Sequence, residues 1–126
     1  TKINLFSVHL STYYDERILA CKELNRIISK IDKNEIIIVG GDFNVGVTRL
    51  GKGRYTFEKS DTYEEYEILS KKLKRLPNME DTWFSSLGQG CIDTIFYSKN
   101  IELKKYETVD SNNKSDHSAI YAEFCI

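Results

Sequence analysis

The stretch that decides the fold runs Ile36-Ile37-Ile38-Val39-Gly40-Gly41-Asp42-Phe43-Asn44-Val45. Four β-branched apolar residues in succession predict a strand that is buried on both faces, as in the sheet of a layered α/β domain. Alternation along this strand would direct Asp42 and Asn44 to the same side. In open α/β sheets, ligands bind at the carboxyl ends of strands, which is where this pair lies. A plain turn is the competing interpretation, because Gly, Asp and Asn are ordinary turn residues.

The composition is that of an ordinary globular protein. The 126 residues allow one domain, and 40% of them are hydrophobic while 29% are charged. A net charge of −1 supplies no global attraction to nucleic acid or to an anionic membrane. We see neither a signal peptide nor an apolar run near the roughly 18 residues that a membrane span needs, so we expect a cytoplasmic protein. The three cysteines match no zinc spacing and are expected to be free thiols.

A strand and a helix precede the central strand. Residues 3–10 are typical of a strand, with His9 near its carboxyl end. Apolar residues at three- and four-residue steps predict a helix from about Asp15 to Ile31. A strand–helix–strand unit makes its two strands parallel near neighbours, which would bring His9 to the same rim as Asp42. A lone histidine that caps a strand is the alternative for His9.

The second half of the chain contains a further helix and three more strands. We expect residues 46–54 to form a flexible loop with three basic side chains, either solvated or in contact with phosphate. A helix is predicted from Thr62 to Leu76, with Pro77 closing it. The predicted strands are Cys91–Ser98, a weaker one around Leu103–Val109, and Ala119–Phe124.

Two of these strands carry polar residues that need an explanation. Asp93 interrupts an apolar run, which is costly unless its carboxylate has a partner. Asp116 and His117 lie side by side at the entry of the last strand, where they could also form a simple turn.

Taken together, four segments resemble the second half of the endonuclease/exonuclease/phosphatase superfamily. The segments are Val8-His9-Leu10, Gly41-Asp42-Phe43-Asn44, Ile92-Asp93-Thr94-Ile95-Phe96 and Ser115-Asp116-His117. That superfamily includes deoxyribonuclease I, the apurinic endonucleases, the inositol polyphosphate 5-phosphatases and the neutral sphingomyelinases. The resemblance implies a deoxyribonuclease I-like α/β sandwich, of which residues 1–126 would be the C-terminal portion, with one mixed sheet and two main helices.

The resemblance also implies an activity and a role for each residue. The implied reaction is hydrolysis of a phosphodiester, in nucleic acid or in a phospholipid-type substrate, with Mg²⁺ or Mn²⁺ as cofactor. By resemblance Asp42 orients or deprotonates the attacking water, Asn44 holds the phosphate, Asp116 binds the metal together with Asp42, His117 contacts the scissile phosphate, and Asp93 pairs with that imidazole. His9 is similar to the histidine of the deoxyribonuclease I, sphingomyelinase and 5-phosphatase branches.

One part of the family pattern has no counterpart in these residues. Family members have a first half that supplies an Asn and a metal-binding Glu, and neither can be placed here. Because the chain also begins at Thr1 rather than Met, we expect either a piece of a longer protein or a partner chain that supplies the missing half. A single sheet without a partner sheet should leave an apolar face uncovered. The alternative function is a non-catalytic binding module that kept the fold without the metal Glu.

Overall fold

A computed structural model describes residues 1–77, 80–86 and 88–126. In chain order the elements are β1 (Ile3–His9), α1 (Tyr14–Ile28), β2 (Ile36–Asp42), β3 (Val47–Gly51), β4 (Arg54–Phe57), α2 (Glu64–Ser70), β5 (Leu73–Arg75), β6 (Trp83–Phe84), β7 (Gln89–Gly90), β8 (Asp93–Ser98), β9 (Glu102–Val109) and β10 (Ala119–Cys125). The α/β fold class is therefore confirmed.

The central feature is a four-stranded sheet with the strand order β1-β2-β8-β5. Strands β1 and β2 pair in parallel, as the strand–helix–strand pattern predicts, and His9 lies opposite Asp42 in this register. Strand β8 pairs with β2 in the antiparallel direction and places Asp93 on the other side of Asp42. Three of the candidate residues therefore lie next to each other at one rim of the sheet.

Both helices pack on one face of this sheet. The apolar core between them and the sheet includes Val39, Phe43, Leu69 and Phe96, each fully buried. These side chains come from β2, the turn after it, α2 and β8, so the core holds the rim strands in place. Apolar burial of this kind is the main stabilising contribution to the domain.

A buried ion pair joins the two helices. The Arg17 Nε donates to Glu65 Oε2 at 2.8 Å, and each side chain is only 4% exposed. The guanidinium also donates through Nη1 to the backbone oxygens of Ser11 and Val47. The pair therefore ties α1 and α2 to the loops that follow β1 and β2.

Replacing Glu65 with Gln should destabilise the domain by about 3 kcal/mol, because it leaves the buried Arg17 charge uncompensated. Urea denaturation followed by circular dichroism measures this change. The matched control is Glu23→Gln, which breaks the exposed Glu23–Arg26 pair and should leave the midpoint where it is in the wild type. Equal midpoints for all three proteins would show that the buried pair does not hold the helices together.

The predicted second helix is too long. Helix α2 ends at Ser70, and Leu73–Arg75 instead forms the edge strand β5, antiparallel to β8. Leu73 and Leu76 are buried in different apolar clusters, so their three-residue spacing does not mark one face of a helix. The backbone of Leu73–Arg75 forms hydrogen bonds with the edge of β8 instead of the hydrogen bonds of a helix. Pro77 therefore does not close a helix.

The prediction of a flexible loop at residues 46–54 is also wrong. Strands β3 and β4 form an antiparallel hairpin, with Val47 opposite Phe57. Val47 is buried against Trp83 and Ile92, which gives the hairpin an apolar anchor. Gly53 adopts a φ of 68°, a conformation that suits glycine at the tip of such a turn.

Strands β9 and β10 form a separate antiparallel sheet that covers much of the second face of the central sheet. The apolar cluster between the two sheets is built around Ile36, Leu76, Tyr97 and Ile101. The expected uncovered apolar face is therefore confined to β1, where Ile3 is 46% and Leu5 is 74% exposed.

The three cysteines are free, as expected. Among the residues that the structure describes, no helix is long and apolar enough to cross a membrane.

Candidate active site

The loops after β1 and β2 meet at the rim through Asn44. Its side-chain Nδ2 donates to the Leu10 oxygen at 2.8 Å, and its backbone N–H donates to Asp42 Oδ1 at 2.9 Å. Asn44 is 7% exposed and adopts a left-handed φ of 51°, so strand alternation does not continue from Asp42 to Asn44. The argument that placed both side chains on one side of the strand is therefore wrong. Phosphate binding by Asn44 stays a prediction.

His117 lies at the centre of the candidate site. Its Nδ1 is 2.7 Å from Asp93 Oδ2, so this ring nitrogen carries a hydrogen that it donates to the carboxylate. The opposite ring nitrogen, Nε2, is 3.9 Å from Asp42 Oδ2 and 4.0 Å from Asp116 Oδ1. Four of the residues singled out from the sequence are thus brought together around one imidazole.

The environment of His117 favours its cationic form. Burial of the ring lowers its pKa, but the hydrogen bond to Asp93 and the charges of Asp93, Asp42 and Asp116 outweigh burial and raise the pKa above its usual value. The imidazolium can therefore donate from Nε2 to an anionic group at the rim.

Asp42 lies in a different environment. Burial of the carboxyl and the nearby charge of Asp93 raise its pKa, against the opposing effects of the Asn44 N–H, His117 and His9. His9 Nε2 is 3.5 Å from Asp42 Oδ2, and its side chain is 77% exposed. His9 therefore borders the site at its solvent side.

The donor set fits a divalent cation. Ligand atoms of Asp42, Asp93 and His117 lie within 4.8 Å of one another. The carboxylate of Asp116 lies on the Nε2 side of the imidazole, as the carboxylate of Asp42 does, and the Asp116 side chain is 66% exposed. Within the described ranges, no lysine or arginine forms an ion pair with these three carboxylates. Carboxylate oxygens are the ligands that Mg²⁺ prefers, and the excess negative charge suits it.

Thr82 is a residue of the site that the sequence did not indicate. Its buried Oγ1 accepts hydrogen bonds from the backbone N–H groups of Ile92 and Asp93, at 3.2 and 3.1 Å. Its backbone oxygen accepts from Ser118 at 2.7 Å. Thr82 therefore connects the Asp93 strand with the segment that carries His117. A threonine in a loop has no sequence signal for this role.

We expect Asp93→Asn to lower any hydrolytic rate by about 10- to 100-fold, since loss of a carboxylate that orients an active-site imidazole has an effect of this size. Asparagine can still hydrogen-bond to the ring, but it supplies no charge, so the pKa of His117 should fall. The pair's contribution to stability is fully present below the usual histidine pKa and lost as the pH rises through the raised pKa.

An NMR titration of the His117 ring measures this pKa directly, and the alkaline limb of the pH–rate profile should move to lower pH with it. The exposed carboxylate Asp61 provides the control variant, Asp61→Asn. An unchanged His117 titration in Asp93→Asn would contradict the pairing.

The comparisons with known proteins identify the family and the fold of the chain. Residues 4–121 match the model of the family described as "Endonuclease-reverse transcriptase". No curated protein matches the chain. Because the family model covers most of the chain, family membership does not depend on any single residue of the site.

Several solved structures share the fold. A mannosyl-6-phosphatase from Bacteroides thetaiotaomicron is 20% identical, with a TM-score of 0.66 over 97% of this chain and 51% of that chain. TDP2 from Danio rerio, complexed with a single strand DNA product, is 15% identical, with a TM-score of 0.67 over 97% of this chain and 56% of that chain. An endonuclease/exonuclease/phosphatase family protein from Leptotrichia buccalis is 19% identical, with a TM-score of 0.61 over 98% of this chain and 49% of that chain.

The chain therefore spans about half the length of the solved structures that it matches. Its fold is shared with the mannosyl-6-phosphatase and with TDP2. The family model and the fold lead to the same conclusion: the chain belongs to the endonuclease/exonuclease/phosphatase family.

Proposed function

We propose that this chain carries the hydrolytic site of a metal-dependent phosphoesterase, which cleaves a phosphodiester of the nucleic-acid or phospholipid type by attack of water. The observation that carries the proposal is the convergence of Asp42, Asp93 and Asp116 around His117 at one rim of the sheet. This combination of an imidazole and carboxylates without lysine or arginine partners suits an anionic ester bound together with a cation.

In this proposal the residues of the site have separate roles in the hydrolysis. Asp42 accepts the proton of the attacking water, for which its partly buried carboxylate is suited. His117, oriented by Asp93, donates from Nε2 to a phosphate oxygen and stabilises the charge that develops there, while the P–O bond to the leaving alcohol breaks and the leaving oxygen takes a proton from solvent. Asn44 holds the loops after β1 and β2 in register through Leu10, and its second Nδ2 hydrogen would donate to the phosphate.

Asp116 and Asp42 would hold the cation, since both have a carboxylate oxygen near His117 Nε2, at 4.0 and 3.9 Å; His117, as a cation, would not be a ligand. Bound there, Mg²⁺ or Mn²⁺ would neutralise phosphate charge and lower the pKa of a water ligand. The third carboxylate, Asp93, is engaged with His117 Nδ1, which leaves it less available as a ligand.

A further segment or a partner chain completes the site in this proposal. The support is the exposed apolar pair on β1, Ile3 and Leu5, on the face of the sheet where β9 and β10 pack further along. Apolar side chains left exposed on a sheet face that is packed elsewhere would be suited to burial by such an element. The site residues retain their mutual contacts within this chain, which does not favour the non-catalytic alternative.

Metal binding tests the cation site independently of turnover. Isothermal calorimetry of the purified chain with Mg²⁺ and with Mn²⁺ should give binding that weakens in Asp116→Asn, with Asp110→Asn as a control in the same loop between β9 and β10. The substrate class is tested with plasmid DNA, a single-stranded oligonucleotide and sphingomyelin vesicles, each with and without EDTA. Binding that is the same in Asp116→Asn as in the wild type would contradict the assigned metal site.

A further inference from the structure

An arginine lies between two tyrosine rings on the β3–β4 hairpin. The guanidinium carbon of Arg49 is 5.7 Å from the ring centre of Tyr13 and 5.9 Å from that of Tyr55. Tyr13 is 51% exposed, and Arg49 is exposed as well. A planar cation held against aromatic rings keeps its orientation and leaves a flat surface open to solvent. We refer to Tyr13, Arg49 and Tyr55 as the stacking platform.

Free positive charge surrounds the stacking platform. Arg49, Lys52 and Arg54 lie on the same hairpin and are exposed. Within the part of the chain that the structure describes, none of the three forms an ion pair, whereas Arg17 and Arg26 each have an acidic partner. Because the whole chain has a net charge of −1, this patch is a local feature and not the result of a basic composition.

The stacking platform is attached to the loops of the candidate active site. Tyr13 follows His9 by four residues, and β3 begins three residues after Asn44. The Arg17 side chain hydrogen-bonds the backbone oxygens of Ser11 and Val47, which fixes the two loops relative to each other. A ligand on the platform would therefore keep a defined position relative to the rim.

A cleft opens beside the stacking platform. It has a volume of about 560 Å³ and is lined by Tyr13, Arg49 and Tyr63, among others. Three acidic residues line it: Glu65 pairs with Arg17, Glu64 accepts from the Tyr14 hydroxyl, and Glu58 is exposed. The cleft thus presents ring faces and a cation with one exposed carboxylate at its wall, and its volume is in the range of small-molecule sites, about 300–1,000 Å³.

We propose that the stacking platform binds single-stranded nucleic acid, with a base against Tyr13 and Arg49 and the backbone phosphates against Lys52 and Arg54. Aromatic side chains that stack bases and cations that follow the backbone are the two parts of a single-strand binding surface. Bases in a duplex are already stacked on each other, so their faces are not open to Tyr13. The inference rests on the proposed function and names the substrate class of that site.

Fluorescence anisotropy of a labelled oligothymidylate of about 12 nucleotides tests the stacking platform, with EDTA present so that no turnover occurs. Binding is measured between about 50 and 200 mM salt. Arg54→Gln and Lys52→Gln should each reduce the magnitude of the log–log salt slope by about 0.7, because each removes one phosphate contact. Tyr13→Leu should weaken binding about tenfold with an unchanged slope, because stacking involves no counterion release.

Two control variants match these changes elsewhere on the surface. Tyr121 is 42% exposed and has Lys105 Nζ 5.9 Å from its ring centre, so Tyr121→Leu removes a similar tyrosine–cation pair. Lys74 is exposed on β5, at the opposite edge of the central sheet from β1, and provides Lys74→Gln. Neither control should change the affinity by more than about twofold. The melting temperature of each variant checks that it remains folded.

Three results would overturn the inference: no binding by the wild type at the lowest salt, equal affinities for Tyr13→Leu and the wild type, or control variants that weaken binding as much as the hairpin variants. Displacement of the oligonucleotide by polyglutamate or by anionic phospholipid vesicles at equal charge would also overturn it, since any polyanion would then suffice. If the variants change binding as expected but no phosphodiester is hydrolysed, the proposed function is contradicted and the stacking platform is supported. If a phosphodiester is hydrolysed but the variants do not change binding as expected, the stacking platform is contradicted and the proposed function is supported.

Discussion

Asp42→Ala is expected to reduce phosphodiester hydrolysis by about 10³- to 10⁴-fold, the upper range for loss of a positioned general base. Asp42 lies between the other candidate groups: opposite His9 and Asp93 in the two registers, and 3.9 Å from His117 Nε2. Removing its carboxylate takes away the proton acceptor and one of the two assigned metal ligands together. Initial rates with bis-p-nitrophenyl phosphate measure the loss, and activity equal to the wild type would end the catalytic assignment.

A second variant at the same position separates loss of function from loss of fold. Burial and the charge of Asp93 raise the pKa of Asp42, so the stability that this group contributes is present at low pH and lost as the pH rises through the raised pKa. Asp42→Asn removes that charge and can still accept the Asn44 N–H. We expect it to be inactive and, at neutral pH, more stable by about 0.5–2 kcal/mol. The gain should disappear at acid pH, where the carboxyl is protonated.

Gly41→Ala is expected to destabilise the domain by more than about 4 kcal/mol, which is exceptional for a single substitution. Gly41 has a φ of 145°, and a Cβ built on it would lie 2.0 Å from the backbone oxygen of Val8. Strand β1 would have to move away from β2 at the point where their registers bring His9 next to Asp42. The substitution should therefore also lower activity in whatever fraction remains folded.

Two other glycines separate the cost of backbone strain from the cost of the steric clash in Gly41→Ala. Gly53 has a φ of 68° but open space around it, so Gly53→Ala tests backbone strain alone, for which about 1 kcal/mol is expected. Gly51 has neither a positive φ nor a close neighbour, so Gly51→Ala should be neutral. Urea midpoints and m-values of the three variants give the comparison. A Gly41→Ala midpoint close to that of Gly53→Ala would contradict the close approach of β1 and β2.

The local patterns that predicted the fold correctly are those in which one periodicity has one structural solution. Four β-branched residues at 36–39, preceded by a helix-period segment and another strand, leave little choice but parallel neighbours, and β1 and β2 pair in that way. The parallel pairing of β1 and β2 places His9 next to Asp42. The pairing of Asp93 with His117 depended on the resemblance to the family, because no local pattern connects residues 24 apart.

The patterns that misled are those that two structures can satisfy. Leu73 and Leu76 fit a helical stripe, yet both are buried equally well when β5 pairs with β8, because the apolar clusters on the two faces of the sheet take one leucine each. Tertiary pairing overrides local propensity in such cases. The turn at Asn44 is the competing interpretation of its stretch, and its left-handed φ agrees with that interpretation. The hydrogen bonds of Thr82 join residues 10 and 11 positions apart, so no local pattern could have indicated them.

The proposed hydrolytic site is tested most directly by the initial rate of bis-p-nitrophenyl phosphate hydrolysis with Mg²⁺ or Mn²⁺, compared with the same reaction in EDTA, for the chain together with the segment or partner chain that completes the site. We expect turnover that EDTA abolishes and that Asp42→Ala and Asp93→Asn reduce in the order of their expected effects. Turnover that is insensitive to both EDTA and Asp42→Ala would contradict the proposed site, because the carboxylates around His117 would then have no part in the reaction.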